Sequence, residues 1–109
     1  MQKVSIEALA RQQLEKATST GRNAADTVVG GHERVLRQTV IGMPAGAELG
    51  EHENPGEASL YVLKGSVRLV CGDQQWDART GDMLFIPDAR HSLVALTEAA
   101  LLLTVAKLP

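Results

Sequence analysis

Imidazole, amide and carboxylate side chains gather in two stretches of this 109-residue chain. The first, GAELGEHENPGEASLYVLKG at 46–65, carries His52 six residues after Gly46, then Asn54, then Glu57 ahead of a run of strand-forming residues. The second, GDMLFIPDARH at 81–91, ends on His91. Imidazole together with carboxylate suits Fe, Mn, Ni, Co, Cu or Zn. Two histidines and an amide make a poor metal site, because a neutral amide oxygen belongs with hard ions; such a set suits hydrogen bonding to a small molecule instead. Residues at i and i+2 of a strand share a face, so His52 and Asn54 fall together. Glu57 and Ala58 are neighbours and so fall on opposite faces of an extended strand. Which of the two points inward decides between a carboxylate-bearing site and one without.

Other residues could join such a site. His32 follows Gly30-Gly31 and precedes the strand-like run that contains Arg37 and Gln38. Arg37 and Gln38 lie on opposite faces of that strand, so at most one lines a pocket; an inward Arg37 points to a carboxylate ligand, whose geometry its planar fork matches. Cys71 is the one cysteine and cannot form an internal disulfide, which favours a reducing compartment. With Val70 and Gly72 beside it and no cation adjacent in sequence, it reads as a packed thiol near a turn rather than a nucleophile. There is no G-x-S-x-G, no phosphate-cradling glycine loop and no C-x-x-C.

These residues need a scaffold, and the rest of the chain supplies one. Residues 5–19 read as an amphipathic helix: Ile6, Leu9, Ala10, Leu14 and Ala17 recur at helical spacing, Ser5 is placed to cap the start, and Gly21 to stop it. From Thr27 the pattern turns to short runs rich in Val, Leu and Ile, at 35–41, 59–63, 66–70, 83–86, 92–96 and 101–106, each bounded by turn residues. Gly65, between two of these runs, marks a turn that needs positive φ. Val67, Leu69 and Cys71 alternate with Ser66, Arg68 and Val70, which gives that strand one inner and one outer face. Many short strands at close spacing make a sandwich or barrel. Tyr61, Trp76 and Phe85 are the only Phe, Trp or Tyr, so the core is aliphatic. Net charge is −2 with no Lys/Arg cluster, which gives no electrostatic footprint for nucleic acid or an anionic membrane. The apolar run at 99–106 is too short to span a bilayer, and the chain reads as cytoplasmic.

The two stretches resemble the paired motifs of the cupin superfamily. In that pattern a glycine is followed after five residues by His-x-His, a glutamate and a closing glycine; a second glycine is followed after five residues by Pro-x-Gly and a histidine. Gly46, His52, Pro55, Tyr61, Val62, Leu63 and Gly65 fit the first motif, and Gly81, Asp82 and Pro87 open the second. The departures fall on the metal ligands. Asn54 stands where the second histidine belongs, Ala58 where the glutamate belongs, and Glu57 is one residue early. Ala89 replaces a glycine, and His91 arrives one residue early.

The resemblance implies an all-β protein: a single small cupin β-barrel of the jelly-roll type over 27–109, with an N-terminal helix and linker over 1–26. It implies a pocket drawn from His52, Asn54, His91 and Gln38. Its metal centre is degenerate, reduced to His52 and His91, with Glu57 as the carboxylate that would complete a two-histidine, one-carboxylate triad for a divalent transition metal. The function expected is small-molecule binding. The rivals are a metal-dependent enzyme of dioxygenase or isomerase type, and a regulatory barrel that responds to a ligand without turnover. A homodimer is expected, because the helix stripe and the apolar runs at 35–41 and 101–106 exceed what one barrel interior needs.

Overall fold

The computed structural model describes residues 3–31, 33–52 and 56–107, with backbone alone at 51 and 52. Helix α1 spans Ile6–Thr20. Ser5 Oγ accepts from the Ala8 N–H at 3.2 Å, satisfying one of the first turn's open donors. At the other end Gly21 adopts φ 72°, and its N–H bonds the Ala17 carbonyl at 2.8 Å. Leu14 and Ala17 are buried beneath the helix. No helix among the described residues is long and apolar enough to cross a membrane.

The remainder is mostly strand: β1 Ala24–Val29, β2 Leu36–Met43, β3 Glu48–His52, β4 Gly56–Lys64, β5 Ser66–Cys71, β6 Gln74–Arg79, β7 Met83–Phe85, β8 His91–Ala95 and β9 Ala99–Lys107. The six runs read from the sequence are strands with ends within three residues of those expected. β1, β3 and β6 are additional, and β1 begins three residues before the expected change of character at Thr27. The strands form two antiparallel sheets rather than one closed, hydrogen-bonded barrel. One has the order β1-β2-β9-β4-β7, the other β3-β8-β5-β6.

The core lies between the sheets. Ile41, Met43, Leu60, Val62, Ala99 and Leu101 from the first meet Val67, Leu69, Ala78, Leu93 and Ala95 from the second. This aliphatic cluster defines an inner face on every strand. On β2 the inner residues are odd-numbered, on β4 even-numbered, and on β8 odd-numbered. The outer face of the five-stranded sheet is covered at one end by α1. Val40 and Ala100 are fully buried there, on the face of Gly42, against which the Gln13 backbone lies directly. On the outer face of the other sheet Arg68 grips its cross-strand partner Asp77 with two bonds, Nε–Oδ1 at 2.7 Å and Nη2–Oδ2 at 3.0 Å. The hydrogen bond from Arg68 holds the Asp77 carboxyl below the usual carboxylate range. Its small, solvent-screened contribution is therefore present above the ordinary carboxylate pKa and is lost as pH falls through the lowered one.

Candidate functional site

The second sheet brings the two motif histidines opposite each other. β3 pairs β8 with Leu49 against Leu93, and the next recorded pair is His52 against His91. Three steps on β3 match two on β8, so β3 carries one extra residue in the Gly50–Glu51 segment, a β-bulge. Regular pairing onward from Leu49 would have set Glu51, not His52, opposite His91. Directly opposed residues in an antiparallel pair have Cα atoms roughly 4.5–5.5 Å apart.

His91 lies on the core face with Leu93 and Ala95 and is 3% exposed, the one buried ionisable side chain among the described residues. Its Nδ1 sits 2.8 Å from the Ala89 carbonyl oxygen. A carbonyl can only accept, so Nδ1 carries a proton, and in the neutral ring Nε2 is the acceptor position. Ala89, which stands in place of a motif glycine, thus orients the imidazole through its backbone. Cys71 shares the inner face of Val67 and Leu69; it is a half-buried free thiol one position beyond the Val70–Ser92 pair.

Strand parity on β4 separates the two carboxylate candidates. Leu60 and Val62 are core residues, and Ala58 shares their face. Glu57 is exposed and falls with Ser59 and Tyr61 on the outer face, where it borders a depression of about 220 Å³ with Phe85 and Thr104. The structure therefore does not bring Glu57 together with His91, because the alternation of an extended strand fixes the two neighbours on opposite sides.

On β2 the expectation for Gln38 is corrected in the same way. Gln38 shares the outer face of Val40, and its Nε2 donates to Thr104 Oγ1 at 3.3 Å. Arg37 instead occupies the register of Thr39, Ile41 and Met43, on the inner face. Asn54 and His32 lie outside the described residues, as does the side chain of His52. A larger cleft, of about 450 Å³, sits on the outer face beneath the first turns of α1. It is lined by Ile6, Ala10, Leu14, Leu63 and Ala100 with Glu7, Arg11 and Lys64. None of the residues expected at the site borders it.

Among the described residues, no three His, Cys, Asp or Glu side chains stand close enough to hold a metal ion. The donor set at this end of the fold is imidazole without a carboxylate from β4. That set does not fit the three-ligand centre that Glu57 was expected to complete.

Comparison with curated proteins gives no match. Solved structures do match. A conserved protein of unknown function from Streptococcus pyogenes is 26% identical, with TM-score 0.74 over 81% of this chain and 76% of that one. An RmlC-like cupin from Desulfovibrio desulfuricans is 27% identical, with TM-score 0.69 over 80% and 84%. Salicylate 1,2-dioxygenase from Pseudoaminobacter salicylatoxidans is 21% identical, with TM-score 0.74 over 96% of this chain but only 34% of the enzyme, a likeness of fold alone. The family model described as Cupin domain matches residues 39–106, well over half of the sequence, and spans both motifs together with the strands that carry them. The chain belongs to the cupin family.

Proposed function

We propose that this cupin binds a small molecule between its sheets, at the end marked by His52 and His91, and that its metal centre is reduced to two imidazoles. The observation that carries this reading is the parity of β4, with Ala58 inside and Glu57 outside. Losing one imidazole to Asn54 and the carboxylate to Ala58 removes donors that set transition-metal affinity. A buried, backbone-oriented His91 at the rim of an aliphatic core remains a good hydrogen-bonding anchor for a small ligand. A reducing, cytoplasmic setting belongs to the same reading and rests on the single Cys71. The expected result on purification without chelator is clearly less than one equivalent of transition metal, with the remainder removed by dialysis. Elemental analysis that finds a full equivalent surviving chelator would replace this reading with the metal-dependent enzyme.

The proposal includes a homodimer formed through the outer face of the five-stranded sheet. Its support is the exposed apolar row that α1 leaves uncovered: Phe85 is 77% exposed, Met83 53% and Tyr61 40%. β4–β7 pairing sets Tyr61 against Met83 and Ser59 against Phe85 on that one face. A two-fold axis lets such a patch cover itself. Light scattering is expected to give a dimer mass for the wild type and a monomer mass for Phe85→Glu. A wild type that stays monomeric at every micromolar concentration would refute the dimer.

A further inference from the structure

We infer that the ligand of this site is an anion, a small molecule bearing a carboxylate, recognised by Arg37 with Lys107 beside it. The inference rests on the small-molecule reading above and names the class of ligand. It comes from asking which charges the two sheets turn toward each other at the His91 end. On the five-stranded sheet one inner row runs Arg37–Val105–Ala58 across β2, β9 and β4. The next residue on that face of β9 is Lys107, opposite Gly56. The carboxylates of β1 to β4 whose side chains the structure describes are elsewhere. Glu57 falls outside, Asp26 pairs with outer Val40, and Glu48 pairs with Val94, off the face of Leu93 and Ala95. On the opposing sheet the described inner positions hold His91, Cys71, Gln74 and Trp76 among aliphatic residues. Among the side chains the structure describes on these strands, then, Arg37, exposed near the start of β2, and half-buried Lys107 occupy inner register positions and no carboxylate does.

Both cationic side chains also reach the Gly30–Gly31 segment. A Cβ on Gly30 would lie 3.7 Å from Arg37 Nε, and Lys107 Nζ donates to the Gly31 carbonyl at 3.3 Å. The Glu33 carboxylate lies beside Gly31 as well, yet it forms no ion pair with either cation; the one ion pair among the described residues is Arg68–Asp77. Arg37 has no hydrogen bond or ion pair among the described residues, so its five donors are uncommitted. The end of β4 where a cupin would turn a glutamate toward a metal dication here presents the methyl of Ala58, and the same row ends in a guanidinium. That exchange reverses the sign of charge the site prefers. Facing sheets stand roughly 10 Å apart, a gap that an arginine and an imidazole can share with a small anion. A carboxylate matches the guanidinium fork with two parallel bonds.

The test compares matched probes on the full chain by calorimetry: hexanoate and succinate against hexanamide and succinamide. The carboxylates are expected to bind and the amides to bind more weakly. Arg37→Gln should weaken the carboxylates by about tenfold or more, the loss of a charge-assisted pair, while leaving the amides unchanged. Arg37→Lys should recover part of the loss, and Lys64→Gln, on the outer face, should leave carboxylate binding as in wild type. Carboxylates and amides binding alike, or Arg37→Gln binding as wild type does, would overturn the anion assignment and leave the pocket reading standing. No binding by any of the four probes to a folded wild type would count against both readings.

Discussion

Gly65→Val is expected to lower the unfolding free energy by about 2–6 kcal/mol, the sum of left-handed backbone strain and steric overpacking. Gly65 joins β4 to β5 in one residue at φ 93°. A Cβ there would run into the Glu98 carbonyl and stand 2.9 Å from Thr97 Oγ1. Neither neighbour can yield cheaply. Glu98 leads into the buried start of β9, and Thr97 Oγ1 caps the Ser66 N–H at 3.0 Å. The glycine itself is held on both sides, its N–H to Thr80 Oγ1 and its carbonyl to the Thr80 N–H, each at 3.0 Å. Gly72→Ala provides the control. Gly72 has φ 61° but open space where a Cβ would go, so it carries the strain without the collision. Urea denaturation should show Gly72→Ala shifted by about 1 kcal/mol and Gly65→Val by a clear multiple of that. Equal midpoints for the two variants would show that the collision costs nothing.

The second large effect is expected at Gly42. Its backbone is not left-handed, so the argument is purely steric: α1 lies so close that a Cβ would strike the Gln13 carbonyl and the Leu14 nitrogen. Gly42→Ala should cost about 1–3 kcal/mol if the helix shifts to make room. If α1 lifts off instead, exposure of Leu14 and Val40 adds roughly 1.5–3 kcal/mol for each. The two cases separate by limited proteolysis, since a detached helix is cut between Ile6 and Thr20 well before the sheets unfold. Stability and cleavage identical to wild type would mean that the helix does not dock on this strand.

Much of the architecture was legible because the signals were local. Ser5 and Gly21 mark the ends of α1 by the chemistry of their own side chains or lack of one, and no distant contact is needed to see it. The strands that were missed share one physical property. β1, β3 and β6 are edge strands; AADTVV and QQWDAR carry exposed polar residues on both faces, and ELGEH offers a single large apolar residue, Leu49. A strand that does not bury one whole face writes no alternation into the sequence. The site was legible as a choice but not as an answer. Alternation says that Glu57 and Ala58 differ in face, and that Arg37 and Gln38 differ too. The choice is made by Leu60 and Val62 in one strand, and by the docking of α1 over Val40 and Gly42 in the other. Those are tertiary facts. Motif spacing likewise made His91 one residue early, with no way of telling that it still reaches the core face.

The bulge in β3 makes strand register a determinant of the site. Because one surplus residue decides whether His52 or Glu51 stands across from His91, the chemistry of this position can change hands without any substitution at all. A slip from the bulged to the flat pairing would exchange an imidazole for a carboxylate, whereas deleting the surplus residue would leave a flat ladder with His52 still across from His91. Strand register, and not residue type alone, therefore decides which residue stands across from His91.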